Sequence, residues 1–194
     1  MAAFSGKGWP LFLAVTGIAA TTDLVSKEWV FRALGMPGES RPISLLSGVL
    51  VLETNLNEGA LFGMGQGMGV FFATVSVAAM IGILALVSRT ATRSDPWLLT
   101  ALGLIVGGII GNLYDRLGSP GLEWHAPLER RGEAVLAVRD WIHFTLPGVI
   151  DWPIFNLADS WLVIGAGILL LSSFTAPAST ADGGRTSGPG SSTP

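Results

Sequence analysis

The 194-residue chain is 49% apolar and only 13% charged, with a mean hydropathy of +0.56. An ordinary soluble domain carries about 25% charged residues, so this is the composition of an integral membrane protein with little room for a second domain. A net charge of −3 leaves no basic surface for nucleic acid, and the absence of cysteine removes disulfides, thiol catalysis and a lipid-anchored cysteine on the chain itself.

A crossing needs about 20 apolar residues at ~1.5 Å rise to traverse ~30 Å of hydrocarbon, and four segments qualify. The first covers about residues 10–31. Lys7 ahead of an apolar run and the small pair Ala19-Ala20 also fit a secretory signal peptide, but the apolar pattern continues through Leu24, Val25, Trp29, Val30 and Phe31, which suits a retained helix better. Within it Asp23 and Lys27 lie four apart, where pairing lowers the cost of charge near lipid; a structural ion pair is the favoured reading over a chemical role. After this span, Asn55, Asn57 and Gly59 bring amide side chains and a glycine to the same membrane face.

The second span covers about residues 67–87 and the third about 96–114, with Pro96 in a first turn where its missing N–H is not needed. Gly103, Gly107 and Gly111 form a small-residue stripe that lets another helix approach closely. Asn112, Asp115 and Arg116 then fall at i, i+3 and i+4, which predicts that all three point one way. The fourth span, about 154–174, repeats that spacing at its start with Asn156 and Asp159. Residues 1–175 therefore read as one four-helix domain, and 176–194, rich in Ser, Thr, Gly and Pro, as a disordered tail.

An even number of crossings puts both termini on one side. Lys7, Arg89 and Arg93 favour the cytoplasm for that side, although Lys27, Arg32, Arg41, Arg116, Arg130, Arg131 and Arg139 give the opposite side the larger raw count. Several of those seven have a candidate site role or sit in a longer loop, which weakens the count without reversing it.

The polar clusters gather at one membrane face, and two carboxylates stand out there. Asp140 sits in Val138-Arg139-Asp140-Trp141-Ile142, and Asp159 stands at the lip of an uncharged span, where an ionisable group is a functional candidate. Two carboxylates held close cannot both ionise cheaply, so one keeps a proton while the other accepts one from water, the arrangement of an aspartic protease. His125 and His143 show neither HExxH spacing nor a cysteine partner, so no metal is expected and both are read as interfacial or loop residues. An ion-coupled transporter would also place carboxylates, amides and arginine in a bundle, but these groups do not reach the midplane and no inverted repeat is visible. A noncatalytic scaffold holding the same groups in structural networks is the third reading.

Five blocks in order, Asp23-Leu24-Val25-Ser26-Lys27, Asn57-Glu58-Gly59-Ala60-Leu61-Phe62, Gly107 to Arg116, Val138 to Ile142 and Phe155 to Ser160, resemble the signature blocks of lipoprotein signal peptidase, the bacterial type II signal peptidase. The resemblance implies a four-helix inner-membrane aspartyl endopeptidase with both termini cytoplasmic and its site near the outer leaflet. It implies cleavage of prolipoproteins just before the diacylglyceryl-modified cysteine, in contact with membrane lipids, by a monomer without metal or organic cofactor. On that likeness Asp140 and Asp159 form the catalytic dyad, Asn57, Gly108, Asn112, Arg116 and Asn156 line the substrate site, and Asp23, Lys27 and Asp115 steady it. Residues 36–54, with Val49-Leu50-Val51-Leu52 as a β-prone centre, look like the family's small extracytoplasmic sheet. Two features depart from the pattern: Trp141 stands where phenylalanine is common, and residues 117–137 form a longer extracytoplasmic insertion. Asp151-Trp152 repeats the Asp140-Trp141 dipeptide, but Pro153 follows it, and Asp151 is expected to be a solvated loop carboxylate.

Overall fold

The computed structural model describes residues 8–59, 67–90 and 95–175. The expected tail at 176–194 lies outside these residues, as do Lys7, Arg93 and the Ala60-Leu61-Phe62 part of the second block. Among the described residues, four helices are long and apolar enough to cross a membrane: α1 (Trp9–Leu34), α2 (Gly69–Thr90), α3 (Pro96–Arg116) and α4 (Leu157–Thr175). At one end of the bundle β1 (Ile43–Leu46), β2 (Leu50–Asn57), β3 (Val138–Leu146) and β4 (Ile150–Asp151) form an antiparallel sheet in that order.

The helix ends follow local chemistry. The Asp95 carboxylate accepts hydrogen bonds from the backbone N–H groups of Trp97 (3.0 Å) and Leu98 (3.1 Å), and Pro96 fills the first turn. At the far end of α1, Gly35 adopts φ 75° and donates its N–H to the Phe31 carbonyl, a backbone conformation that glycine takes without steric cost. The fourth helix starts at Leu157, a few residues later than the apolar run, because Asn156 caps it.

Helix α3 is the centre of the bundle and uses two glycine faces. A Cβ on Gly103 would lie 3.0 Å from Val15, and one on Gly107 would lie 2.9 Å from the Thr16 carbonyl, so the predicted stripe receives α1. On the other face Gly108 would meet the Ala158 carbonyl at 2.6 Å, and Gly165 of α4 would meet the Ala101 carbonyl at 2.7 Å. Close approach of this kind maximises dispersion contact where lipid supplies no hydrophobic drive for association. Helices α2 and α4 leave apolar side chains such as Val70, Phe71, Ile81, Val163, Leu171 and Phe174 exposed, as befits lipid-facing surfaces.

The sheet is larger than the sequence indicates. The expected segment at 36–54 supplies β1 and most of β2, but β2 continues to Asn57 and the other two strands come from residues 138–151. The block around Asp140 is therefore a strand, with Asn55 opposite Asp140 and Asn57 opposite Val138. The insertion is folded back on itself through Trp124 N–H to Glu133 O and Val135 N–H to Leu122 O, both 2.9 Å. Its Val135 and Ala137 are buried with Met36, against Leu56, Leu122 and Trp124.

Candidate active site

The two carboxylates arrive from different elements. Asp140 is the third residue of β3 and is 1% exposed, while Asp159 lies in the first turn of α4. The strand is tied to the start of that helix by backbone hydrogen bonds between Ile142 and Phe155, 2.8 and 3.0 Å, which fixes how far apart they stand.

Asn156 sits between them. Its Nδ2 donates to Asp140 Oδ1 at 2.6 Å and to Asn112 Oδ1 at 3.1 Å. Its Oδ1 accepts from the Asp159 N–H at 3.0 Å while its own N–H donates to Asp159 Oδ2 at 3.3 Å, the reciprocal pairing of a capping box. Asn57 Nδ2 reaches Asp140 Oδ2 at 3.1 Å, and Asn112 Nδ2 reaches Asp159 Oδ1 at 2.9 Å. Each aspartate thus has an amide donor from outside its own element.

Burial, and after it the charge of Asp159, push the Asp140 carboxyl up to about 7, against the lowering influence of Asn156, Asn57 and Lys27. Asp140 can therefore carry a proton near neutral pH, as the acid partner in acid–base hydrolysis must.

Beneath the dyad lies a lattice of buried charge. Lys27 Nζ contacts Asp23 at 2.7 Å, Asp115 at 3.0 Å and Asn112 Oδ1 at 2.9 Å, and none of the three ionic side chains is exposed. Asp23 Oδ1 accepts the Ala158 N–H at 2.8 Å, so α1 helps to cap α4. Asp115 accepts the Arg139 backbone N–H (3.1 Å) and Nε (2.9 Å), and Arg139 Nη1 continues to Glu28 at 3.1 Å.

The expectation that Asn112, Asp115 and Arg116 share one direction needs correction. Successive helical residues turn by about 100°, so Asp115 and Arg116 straddle Asn112. Asp115 turns to Lys27 and Arg139, and Arg116 turns into the cavity. There Arg116 Nη2 donates to the Gly59 carbonyl at 3.1 Å and the guanidinium lies 5.6 Å from the Phe72 ring centre, while its buried Nε finds no partner among the described residues.

The cavity, about 910 Å³, has Asn57, Asn112, Arg116, Asp140 and Asp159 among its lining and an apolar part formed by α2, α3, α4 and residues 152–155. Two predicted substrate-site residues are not on its wall. Gly108 is the contact point for Ala158 and Leu162, and Asn156 is wholly buried behind the dyad. Asp151 is exposed as expected, but it pairs with His143 Nε2 at 2.8 Å across β3 and β4. His143 is thus a strand residue and not a loop one, whereas His125 lies in the insertion beside Glu39.

Sequence reasoning missed Arg139 as a buried anchor, and it missed Phe72 and residues 152–155 as cavity wall. Strand alternation around Asp140 would have found Arg139, since it turns that neighbour to the opposite face. Nothing local marks the others.

The family model for Signal peptidase (SPase) II matches residues 15–175. The chain belongs to the signal peptidase II family. The lipoprotein signal peptidase of Rhodopirellula baltica is 42% identical over 178 residues, covering 89% of this chain and 75% of that protein. That of Halalkalibacterium halodurans is 40% identical over 161 residues, covering 83% and 90%. In fold, this signal peptidase II chain matches a solved bacterial membrane enzyme at a TM-score of 0.68 and 20% identity, over 88% of this chain and 92% of the other. Membership makes the chain an aspartic peptidase.

Proposed function

We propose that Asp140 and Asp159 are the catalytic dyad with which this membrane endopeptidase removes signal peptides from prolipoproteins, cutting just before the diacylglyceryl-modified cysteine. The observation that carries the assignment is a pair of carboxylates on β3 and α4, joined through one buried asparagine at the polar end of an apolar cavity. Asp159 accepts a proton from a water held between the carboxylates, the hydroxide adds to the scissile carbonyl, and protonated Asp140 donates to the developing oxyanion. Collapse of the tetrahedral intermediate breaks the C–N bond as a proton passes to the leaving amine.

Asn57 and Asn112 orient the two acids, and Arg116 supplies free N–H donors for a peptide carbonyl or a lipid ester oxygen. The apolar part of the cavity suits acyl chains. All these groups come from one chain, so a monomer suffices. The site lies at the outer leaflet of the inner membrane in this reading, which predicts that reporter fusions within residues 122–133 face the extracytoplasmic side.

Purified protein incubated with a lipidated prolipoprotein tests the assignment directly. Asp140→Asn and Asp159→Asn should each be inactive while still binding substrate; near-parental turnover in either would remove it from the dyad.

A further inference from the structure

Among the described residues, an ion pair ties the insertion at 117–137 to the turn beside the active site. Asn57, Glu58 and Gly59 are consecutive, and the outer two touch the chemistry: the Asn57 amide donates to Asp140, and the Gly59 carbonyl accepts from Arg116. The Gly59 N–H donates to Asn57 Oδ1 at 3.0 Å, so the three residues move as one turn. Glu58 points instead to the insertion, where Arg130 Nη1 meets Oε2 at 3.0 Å.

Arg130 is itself held in place. Its Nε contacts Glu133 at 3.1 Å, and its guanidinium lies 4.2 Å from the Trp124 ring centre. Trp124 belongs to the packed base of the insertion, which also grips Leu56 immediately before the turn. At 33% and 26% side-chain exposure, Arg130 and Glu58 are less screened than a surface pair.

We propose that Arg130 is a positioning residue for the peptidase site: acting through Glu58, it fixes the Asn57 amide on Asp140 and the Gly59 carbonyl on Arg116. The inference rests on the dyad assigned above. The insertion is then a brace for the cavity wall, built from a segment that carries no catalytic group of its own. Loosening the turn removes a donor that favours the ionised form of Asp140, whose charged neighbours include Asp159, Lys27 and Arg116. Asp140 then keeps its proton to higher pH, and the alkaline limb of the activity profile moves upward.

The test uses full-length protein and a lipidated prolipopeptide at a series of pH values. Arg130→Gln and Glu58→Gln should each lower kcat/KM about five-fold, the scale of one partly buried ion pair, and displace the alkaline limb to higher pH. Arg130→Lys should keep most of the rate, and the double variant should be no slower than either single one. A fall in rate with an unmoved limb, or two losses that multiply in the double variant, would overturn the proposal in favour of a merely structural insertion. Asp140→Asn is the control: if it is inactive while Arg130→Gln matches the parent, only the role of Arg130 fails, and if it stays active both readings fail.

Discussion

Lys27 and His143 each sit between two carboxylates, in opposite surroundings. Lys27 is enclosed with Asp23 and Asp115 between three helices, with none of the three side chains exposed. His143 joins Glu53 at 3.1 Å and Asp151 at 2.8 Å at the sheet edge, where the Asp151 side chain is 80% exposed. Removing one member of a buried set leaves an uncompensated charge and costs several kcal/mol, whereas an exposed pair is worth about 1 kcal/mol or less. The same arrangement, a basic group between two carboxylates, therefore locks the bundle beneath Asp140 and Asp159 in one place and only trims the sheet in the other.

The largest effects belong to the carboxylates that the lattice supports. On the proposed dyad, asparagine at 140 or 159 should remove proton transfer, a loss of about 10²–10⁴-fold or more in single-turnover cleavage, with folding retained. Lys27→Met comes next. It leaves Asp23 and Asp115 without their shared cation, so thermal unfolding in detergent should report a loss of about 3–5 kcal/mol together with lost activity. A parental melting temperature for Lys27→Met would mean that the lattice is not what holds α1, α3 and β3 together.

Acidity separates the two regions further. Asp140 is raised by burial from 3.8 to about 7, so the folded state binds a proton that the unfolded chain releases. Its contribution to stability is full below the ordinary carboxylate range, declines as pH rises from there, and is gone above about 7. Cleavage should decline above the same pH, because the dyad loses its shared proton. Melting temperature against pH, compared with Asp140→Asn, checks this: the variant should show a flatter slope between about pH 4 and 7.

The lattice was partly legible in the sequence because helical spacing pairs Asp23 with Lys27 and places Asn156 three residues before Asp159. The glycine stripe was legible as a stripe, yet only the packed structure assigns it to α1 and shows Gly108 and Gly165 serving α4. Strand alternation could have turned Arg139 away from Asp140, but its partners Asp115 and Glu28 lie 24 and 111 residues away and only the packed structure names them. The sheet was seen only in its first half for the same reason: β2 and β3 are joined by pairing between residues near 55 and residues near 140, and no local pattern encodes that register. The insertion looked like a loop since its order comes from Trp124, Val135 and Ala137 packing on Met36 and Leu56, again at long range.

The smallest effect should come from Asp151, the residue that sequence spacing makes a rival to Asp140. It lies closer to Asp159 along the chain, but β4 turns it away from the cavity to His143, and its side chain is absent from the cavity wall. Donating a hydrogen bond to Asp151 is what most raises the His143 pKa, with Glu53 adding to it against partial burial. The clasp therefore contributes fully below the ordinary histidine range and fades as pH rises through the raised value. Asp151→Asn should retain most cleavage activity and lie within about 1 kcal/mol of the parent, with any loss of stability confined to the acidic side of that transition. Inactivity of Asp151→Asn beside an active Asp140→Asn would move the dyad to Asp151 and Asp159, and the sheet edge, not the buried strand, would then carry the chemistry.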